Sequence, residues 1–485
     1  MSFDRFSIMT ELIWEGKYDK DGKKVAPIRI ALPFQTIESV NESAQQRAKT
    51  LELFASGKPT EWRNRLIWGD KKYVLPSLLP EFAGKVDLIY IDPPFDTGAN
   101  FSYTATIPDN PETPEDETIN FTKSPSIIEE KAYRDTWGTG LNSYIQWFYE
   151  SIKYLYDLLS ETGSLYVHLD WHLSHYAKVV LDEIFGESNF VNEIIWQKIR
   201  TTKGQTKGYG KIHDVIFYYS KTDSFKYNPQ FTPISEKYIK SHYGKIDAKT
   251  GKRFRLVSMT QTGQGPPKTF GDKVLEPPKG KHWVWSQERI DNALNEGKIV
   301  FSSTGTPSIV RFLDEAKGDH VQDIWSDIFP VNAVARERTG YPTQKPESLL
   351  ERIIESSTNE GDLVFDCFIG SGTTAVVAEK FNRRWIACDL GKFAIHTTRK
   401  RMLSIENVKP FVVQNLGKYE RQQWIKAEFE EVKSRATQEK AYRNFVLNLY
   451  QAEPVSSHQW LHGAKSGRMI HVGSIDAPVS IGDIK

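Results

Sequence analysis

Cysteine is scarce in this sequence, and long apolar runs are missing. Only two cysteines, Cys367 and Cys388, occur among 485 residues, which excludes a disulfide framework and favours structural thiols in a reducing compartment. No stretch is apolar over the length that a bilayer requires, and residues 1–5 lack the charged and then apolar pattern of an export signal. We therefore expect a cytoplasmic protein that has no membrane contact.

The chain also lacks an excess of either charge. Its 63 lysines and arginines nearly balance 62 aspartates and glutamates, for a formal net charge of +1. Any contact with nucleic acid must therefore come from uneven placement of basic residues. The hydrophobic share of 39% is enough for a sizeable core, and the length exceeds what one domain usually needs. We expect a main domain with appended segments.

A buried strand that ends in a rigid corner is predicted near residue 90. Residues 86–91 are mostly apolar and β-favouring, and Asp92, Pro93, Pro94 and Phe95 follow directly. The Asp92 carboxylate and the Pro93 carbonyl offer two acceptors that the fixed proline angles hold in place. Two such acceptors would make an exocyclic base amine more nucleophilic, and the Phe95 ring offers a flat face for a base rotated out of a duplex. The alternative is a plain exit from strand to loop.

A second predicted strand runs into a glycine turn. The mostly apolar residues 363–369 lead into Gly370 and Gly372, and a helical pattern follows. The glycines allow the backbone to pass close to a ligand, where a Cβ would collide. A further apolar strand ends in Asp389, about 20 residues downstream, where a carboxylate can hold ribose hydroxyls. The pattern predicts a site for an adenosine-type cofactor.

Three motifs, taken in order, resemble a known enzyme family. They are Asp-Pro-Pro-Phe at 92–95, Tyr-Pro-Thr-Gln-Lys-Pro at 341–346 and Asp-Cys-Phe-Ile-Gly-Ser-Gly-Thr-Thr at 366–374. Over about residues 60–220 and 335–400, the chain resembles the β-class S-adenosylmethionine-dependent DNA amino-methyltransferases, such as the modification methylases of restriction-modification systems. The resemblance implies an α/β, Rossmann-like methyltransferase fold. Its sheet would be mostly parallel and seven-stranded, with permuted halves and an inserted target-recognition region.

The resemblance also implies a reaction. A methyl group would pass from S-adenosylmethionine directly to the N6 amine of a flipped-out adenine in double-stranded DNA. Adenine is favoured because the corner begins with Asp and not Ser, as usage in the family suggests. The alternatives are N4 of cytosine and a non-catalytic DNA-binding subunit. Methylation at carbon 5 of cytosine is excluded because it needs a cysteine nucleophile, and neither cysteine lies in a Pro-Cys loop.

Individual roles follow from the same resemblance. Asp92, Pro93 and Pro94 would form the corner that activates the amine, and Phe95 would stack on the base, although Tyr is commoner there in the family. Asp70 would border the adenine of the cofactor, its alternative role being an ordinary helix N-cap. The complete expected cofactor set is Asp70, Lys345, Pro346, Asp366, Phe368, Gly370, Ser371, Gly372, Thr373 and Asp389.

A basic, glycine-rich loop is expected between two later strands. It contains no acidic residue from 198 to 211, so its cations could follow a phosphate backbone, and DNA binding would weaken with salt. A solvated loop with incidental charge is the alternative. The residues expected to contact DNA are Lys198, Arg200, Lys203, Lys207 and Lys211.

Four residues after the predicted catalytic corner have a spacing that can suit a metal ion: His168, Asp170, His172 and His175. Alternation places the first two on one face of a strand, but the two later histidines would follow on a turn and a helix. Direct methyl transfer from a sulfonium also requires no Lewis acid. We therefore expect no metal, and we interpret these residues as a polar wall of the cleft or as simple surface.

Five segments complete the interpretation. Residues 1–60 form an N-terminal extension, 61–220 the catalytic half, 221–335 the target-recognition region, 336–405 the cofactor half and 406–485 a helical tail. Lysines interleave with aromatic residues in the recognition region, which fits DNA contact and also an ordinary small domain. The tail fits a contact with a second copy or with a restriction subunit, and equally a solvated helix.

Overall fold

The computed structural model describes residues 10–27, 29–42, 62–94, 140–200, 208–248, 250–332 and 334–417, the backbone of 103–108 and 118–123, and short stretches between 439 and 473. Three residues with predicted roles, Phe95, Lys203 and Lys207, lie outside these ranges. Most of the predicted helical tail lies outside them as well.

The strands are labelled in chain order. They are β1 (Gln35–Val40), β2 (Asn64–Trp68), β3 (Val86–Ile91), β4 (Tyr103–Pro108), β5 (Thr118–Lys123), β6 (Leu159–Leu169), β7 (Phe190–Gln197), β8 (His213–Ser220), β9 (Phe231–Thr232), β10 (Lys245–Ile246), β11 (Arg253–Ser258), β12 (Thr260–Thr262), β13 (Lys268–Phe270), β14 (Lys273–Leu275), β15 (Lys281–Trp283), β16 (Ile299–Phe301), β17 (Pro307–Phe312), β18 (Asp319–His320), β19 (Ile324–Trp325), β20 (Leu363–Asp366), β21 (Arg384–Asp389), β22 (Phe411–Asn415), β23 (Glu453–Pro454), β24 (Gly463–Lys465) and β25 (Arg468–Ile470).

The α-helices of the described ranges are α1 (Lys71–Phe82), α2 (Leu141–Leu158), α3 (Ser174–Phe185), α4 (Glu236–His242), α5 (Gln287–Asn295), α6 (Glu347–Ser357), α7 (Thr373–Lys380) and α8 (Lys392–Leu403). Local sequence explains where several of them begin. The Asp70 carboxylate accepts a hydrogen bond from the Lys72 amide and so caps α1. Pro346 stands directly before α6, and Gly372 in a left-handed conformation stands before α7.

A large mixed sheet forms the centre of the first of two compact units, which comprises residues 1–228 and 323–485. Its strands follow the order β1-β22-β2-β21-β20-β3-β6-β8-β7-β19. The neighbours from β22 to β6 run parallel, whereas β8 is antiparallel to both β6 and β7. The expected seven strands are those from β2 to β7 in this order. The sheet is larger than expected because β22 and β1 extend one edge and β19 extends the other.

Two distant parts of the chain interleave in this sheet. Strand β20 lies between β3 and β21, with Phe365 opposite Ile89 and Asp366 opposite Ala387. The predicted catalytic half therefore shares strand-to-strand hydrogen bonds with the predicted cofactor half, although more than a hundred residues separate them in sequence. This pairing brings the two sets of predicted site residues to the same sheet edge.

Alternation along the strands divides the buried side chains between the two faces of the sheet. Ile89 and Ile91 belong to a core that also contains the apolar residues of α1, α2 and α3. On the other side, α6 packs against β3, and α7 packs against β20 and β21. A parallel sheet covered on both faces explains the nearly continuous apolar runs of these strands.

The described part of the N-terminal extension is fixed to the helices. The Trp14 indole donates a hydrogen bond of 2.7 Å to Gln146 of α2, and the buried Lys17 ammonium lies 2.7 Å from Glu183 of α3. The segment therefore packs as part of the first unit. No helix in the described ranges is long and apolar enough to cross a membrane.

Residues 229–322 form a second compact unit, inside the segment expected to recognise the target. It contains a four-stranded sheet in the order β10-β11-β17-β16. Its own apolar core consists of Met259, Phe270, Trp283, Ile290, Ala293, Ile299 and Ile309.

Candidate active site

The carboxyl ends of the parallel strands meet at one edge of the sheet, where ligands of such sheets bind. Asp92 follows β3, Asp366 ends β20 and Asp389 ends β21. Trp68, the last residue of β2, pairs in register with Asp389, so Asp70 follows at the same edge. The fold thus brings together the carboxylates that the sequence predicted for one cleft.

Asp92 and Lys345 form an ion pair at the first of these strand ends. The Lys345 ammonium donates a hydrogen bond to Oδ2 of Asp92, and their side chains are only 12% and 17% exposed. The other carboxylate oxygen, Oδ1, is buried and has no hydrogen-bond partner among the described residues. A buried acceptor without a donor is costly unless a ligand supplies the donor. Asp92 is therefore poised to accept a hydrogen bond from a bound molecule.

The segment that carries Lys345 is anchored on the glycine turn. The backbone carbonyl of Lys345 accepts a hydrogen bond of 3.0 Å from the Thr373 hydroxyl. Thr343, two residues earlier, has a φ of 64°, a left-handed conformation that is rare for a β-branched residue. The Tyr341 ring stacks on Phe393 with centroids 5.6 Å apart. These contacts fix the approach of Lys345 to Asp92.

Asp366 is buried at the end of β20 and is satisfied within the protein. Its Oδ1 accepts a hydrogen bond of 2.9 Å from the Phe368 amide, and its Oδ2 accepts one of 2.6 Å from the Thr374 hydroxyl. Burial raises the pKa of Asp366 to about 7, against the lowering effect of these two donors. Asp366 therefore stabilises the glycine turn, because its hydrogen bonds hold the Phe368 amide and the Thr374 hydroxyl in place.

The glycine turn depends on backbone conformations that other residues adopt with strain. Gly370 has a φ of 52° and Gly372 a φ of 87°, and a Cβ on Gly372 would lie 2.8 Å from the Thr398 hydroxyl oxygen. The Gly370 amide donates a hydrogen bond of 2.9 Å to Oδ2 of Asp389. The Gly391 amide donates to Oδ1 at 2.7 Å. The turn is thereby tied to the end of β21.

Comparison with known proteins identifies the family. A family model described as DNA methylase, of the N6/N4 type, matches residues 86–400, which is more than half of the chain. The chain belongs to the N6/N4 DNA methylase family. These are DNA methyltransferases of restriction-modification systems, and S-adenosylmethionine is their methyl donor.

Individual relatives agree with the family. The chain is 31% identical over 339 residues to the type II methyltransferase M.EcaI of Enterobacter cloacae, a match that covers 70% of this chain and 69% of that protein. It is 24% identical over 355 residues to the Mod subunit of the type III restriction-modification enzyme StyLTI of Salmonella typhimurium, covering 69% of this chain and 53% of the subunit. The chain therefore spans about half the length of that relative.

Solved structures give similar coverage at low identity. The PvuII DNA methyltransferase (cytosine-N4-specific) is 15% identical with a TM-score of 0.38, and the match covers 71% of this chain and 87% of that one. The M1.HpyAVI complex with S-adenosylmethionine is 16% identical with a TM-score of 0.35, and the match covers 70% and 100%.

The described residues of this DNA methylase fit its cofactor. The glycine turn packs closely on its surroundings, since a Cβ on Gly372 would meet Thr398 and one on Gly370 would lie 3.4 Å from the Tyr341 ring. Asp389 ends the neighbouring strand at the same sheet edge. Among the described residues, Oδ1 of Asp92 has no hydrogen-bond donor. When bound, S-adenosylmethionine supplies an electrophilic methyl group on a sulfonium.

Asp70 has the structural role that the sequence left open. It caps helix α1 through the Lys72 amide at 2.9 Å and is largely buried. The cap accounts for one oxygen of the carboxylate and fixes its position at the sheet edge. Contact with the adenine of the cofactor stays a prediction.

Lys71 was not found from the sequence. Its ammonium is buried, donates a hydrogen bond of 2.6 Å to the Ser151 hydroxyl and lies 3.7 Å from the centroid of the Trp147 ring. The same ammonium is 5.9 Å from the ring of Phe368, a predicted cofactor residue. Burial lowers the pKa of Lys71 to about 8. The sequence did offer one signal for an unusual role of Lys71. A lysine in the first turn of a helix is uncommon, because the macrodipole disfavours a cation there.

The basic loop of the methylase uses its cations in different ways. Lys198 lies 2.6 Å from Oδ1 of the buried Asp214, so its charge is already compensated. The Arg200 guanidinium lies 4.1 Å from the Phe329 ring centroid, and the Lys211 ammonium lies 3.5 Å from the Trp171 ring centroid. The two ends of the loop are joined by a hydrogen bond from the Ile199 amide to the Ile212 carbonyl.

The two histidines nearest to the strand end have separate partners. His168 is buried between the Tyr90 hydroxyl, 2.9 Å from Nδ1, and Asp214, 3.2 Å from Nε2. Burial alone would raise the pKa of Asp214, but hydrogen bonds from His168 and Lys198 outweigh it and leave the pKa below its ordinary value. His172 instead pairs with Asp170. In the described part of the chain, no three His, Cys, Asp or Glu side chains converge as metal ligands.

Proposed function

We propose that this DNA methylase transfers a methyl group from S-adenosylmethionine to the N6 amine of adenine in double-stranded DNA, directly onto a base rotated out of the duplex. One observation carries the proposal: the buried Oδ1 of Asp92 lacks a donor among the described residues, at the strand end beside the glycine turn. An exocyclic amine is a donor of the kind this oxygen needs. The base leaves the stack at a cost of about a few kcal/mol before it can reach Asp92.

The proposed chemistry depends on how the protein holds acceptors around the amine. Asp92 accepts one amine hydrogen at Oδ1, and the Pro93 carbonyl accepts the other, as the sequence predicts. The amine nitrogen then becomes more pyramidal, and its lone pair is less delocalised into the ring, which makes it a better nucleophile. Lys345 holds the carboxylate by Oδ2, so Oδ1 does not need to rotate toward the base. This preorganisation lowers the cost of reaching the transition state.

Hydrogen bonds among the proposed cofactor residues and their neighbours fix the shape of the glycine turn. Asp366 fixes the turn through the Phe368 amide and the Thr374 hydroxyl, and Asp389 fixes it through the Gly370 amide. We propose that Asp366 and Gly370 border the methionine part of the cofactor and that Asp389 holds the ribose. The remaining proposed contacts to the cofactor are Asp70, Lys345, Pro346, Phe368, Ser371, Gly372 and Thr373.

DNA binding is proposed for the basic loop and for the second compact unit. The loop has no acidic residue between 198 and 211. Since Lys198 is paired with Asp214, the phosphate contacts are assigned mainly to Arg200, Lys203, Lys207 and Lys211. Residues 229–322 are proposed to recognise the target sequence, because lysines alternate with aromatic residues there.

Partners and location belong to the same proposal. The name of the StyLTI relative, a Mod subunit of a restriction-modification enzyme, supports a restriction subunit as a partner of this chain. A homodimer is the second proposed assembly, and light scattering of the purified chain at several concentrations distinguishes it from a monomer. We place the enzyme in the cytoplasm, where it meets chromosomal DNA.

Expression in a methylation-free bacterial host tests the reaction. Single-molecule sequencing of the host DNA is expected to reveal one modified motif, and nucleoside analysis is expected to release N6-methyladenine. N4-methylcytosine would instead support the alternative amino-methylation. A chain that binds DNA but not S-adenosylmethionine would be a non-catalytic subunit, and the proposed reaction would be wrong. The matched control is the Asp92→Asn variant, which should leave the host DNA unmodified.

A further inference from the structure

An exposed tryptophan stands beside the catalytic corner of the proposed enzyme. Strand β6 is the parallel neighbour of β3, with Val167 opposite Ile91. Asp92 follows Ile91, and Trp171 follows two residues after the end of β6. Both therefore lie at the carboxyl edge of the sheet, one strand apart. This is the edge at which the target base would enter.

Trp171 packs against His172 although it is on the surface. Its side chain is 39% exposed, and its ring centroid is 3.5 Å from that of His172. Asp170 fixes His172 in turn, because it accepts hydrogen bonds from the His172 amide at 3.0 Å and from Nδ1 at 2.5 Å. A rigid aromatic surface of this kind loses little conformational entropy when a ligand stacks on it.

The cation over the Trp171 ring, Lys211, belongs to the basic loop. The Lys211 ammonium lies 3.5 Å from the Trp171 ring centroid, and in the described ranges it takes part in no ion pair. A lysine that rests on an exposed ring can exchange a modest cation–π contact for a phosphate at little cost. An aromatic face next to a positive charge is the arrangement that binds single nucleotides of a strand.

Packing does not account for the exposure of Trp171. The neighbouring tryptophan Trp196 is buried and donates its indole N–H to the Ile328 carbonyl. Trp171 instead leaves a large part of its ring in solvent, in a turn whose geometry Asp170 already fixes. The hydrogen bonds of Asp170 that fix the turn do not involve the Trp171 ring, which leaves the ring available to a ligand.

We propose that Trp171 stacks on a nucleobase of the DNA strand that carries the target amine, while Lys211 moves to a phosphate of the same strand. This inference rests on the proposed function, since it names how the same site holds its DNA. Stacking on Trp171 compensates part of the stacking that the strand loses when the target base rotates out. The His172 ring packs against Trp171 and needs no contact with DNA.

Three variants test the stacking. Trp171→Leu removes the flat face but keeps an apolar side chain, and Trp171→Phe keeps a flat face. Tyr176→Leu is the matched control, because Tyr176 is 41% exposed and lies on the nearby helix α3. Synthetic duplexes that carry the mapped target motif serve as substrate, and S-adenosylmethionine binding and thermal unfolding are measured in parallel.

The expected result is a rise of about tenfold in the KM for DNA in Trp171→Leu, in line with the usual loss per stacked base. Trp171→Phe should stay within about threefold of the parent, and Tyr176→Leu should equal it. Cofactor affinity and melting temperature should not change. Equal KM values in the parent and Trp171→Leu overturn the inference. It also fails if Trp171→Phe behaves like Trp171→Leu, or if Trp171→Leu loses cofactor binding or stability.

Direct DNA binding separates this inference from the proposed function. Fluorescence anisotropy of a labelled duplex requires no methyl transfer. A parent protein that transfers no methyl group but binds DNA more tightly than Trp171→Leu would overturn the proposed reaction and keep the stacking. If Trp171→Leu binds DNA like the parent and instead fails to capture a protein partner, Trp171 belongs to a protein interface and the inference is wrong.

Discussion

Lys345 donates a hydrogen bond to Oδ2 of Asp92, 253 residues earlier in the chain, while Oδ1 of the same carboxylate stays buried without a partner among the described residues. One oxygen is thus held by the cofactor half, and the other is left for a ligand. The pair fixes the orientation of the carboxylate before any substrate arrives.

Replacing Asp92 with Asn should reduce kcat by roughly a hundredfold or more, the usual effect of removing one preorganised polar contact. The amide offers one acceptor, and its nitrogen would repel the donor of the target amine. Transfer of tritiated methyl groups to unmethylated DNA measures the loss. Affinity for S-adenosylmethionine should stay close to that of the parent, and the variant should still fold, with a melting temperature lowered because Lys345 loses its ion pair. Methylation at the parent rate would refute the role of Asp92.

Replacing Lys345 with Met should lower the free energy of unfolding by about 1–3 kcal/mol, since it leaves a mostly buried carboxylate without its cation. Urea unfolding of the variant measures this loss. In the Asp92→Asn background the same replacement should cost less than half as much, because no charge is then left unpaired. Equal losses in both backgrounds would mean that Lys345 does not act through Asp92.

Asp366 should make the stability of the protein depend on pH. Burial raises its pKa in the folded state from the ordinary 3.8 to about 7, so the folded protein binds this proton more tightly than the unfolded chain. The resulting stabilisation is complete below about pH 4 and is lost as the pH rises toward 7. Relative to Asp366→Asn, the free energy of unfolding of the parent should fall by up to a few kcal/mol between pH 4 and pH 7. It should change little above pH 7.

Unfolding free energies of both proteins, measured from pH 4 to pH 8, test this dependence. The difference between the two curves isolates Asp366, because all other titrating groups are shared. A flat difference, or one that favours the parent at higher pH, would contradict the raised pKa.

Gly372 should tolerate alanine much less well than Gly361. Both have positive φ values, 87° and 80°, which cost an alanine about 1–2 kcal/mol. A Cβ on Gly372 would also meet the Thr398 hydroxyl at 2.8 Å, whereas one on Gly361 meets nothing within 4 Å. Gly372→Ala should therefore lower the free energy of unfolding by about 1 kcal/mol or more beyond the loss in Gly361→Ala. It should also weaken cofactor binding. Calorimetry of both variants with S-adenosylmethionine measures the contrast, and equal affinities would exclude Gly372 from the cofactor turn.

Lysines of the basic loop should differ in their contribution to DNA binding. Lys203→Gln should reduce the slope of log affinity against log salt by about 0.9, the value for one released phosphate counterion. Lys198→Gln should change the slope less, because its charge already compensates Asp214, and it should lower the melting temperature. Anisotropy titrations at several salt concentrations measure the slopes. The reverse order would show that Lys198 leaves Asp214 for DNA.

Local patterns were enough to predict most of the strands and turns that build the site. The apolar run before Asp92 forms β3, and the glycines at 370 and 372 adopt the positive φ values that a ligand turn requires. The size of the sheet was predicted less well. β1 and β22 pair across almost the entire chain, and such long-range pairing leaves no periodic signal in either segment.

Several side chains have neighbours that the sequence could not supply. His168 was interpreted as part of a polar wall of the cleft or as simple surface, but it is fully buried between Tyr90 and Asp214. Lys71 was overlooked because its cation is stabilised by Ser151 and Trp147, about 80 residues away. Each of these contacts depends on which strands and helices become neighbours.

The sequence alone determined the local conformations and the family resemblance, because backbone preferences and apolar periodicity act over a few residues. Only the tertiary structure decided that Lys345 holds one oxygen of Asp92 and that the other has no donor among the described residues. Those outcomes depend on strand order and register, which bring distant residues within hydrogen-bond reach.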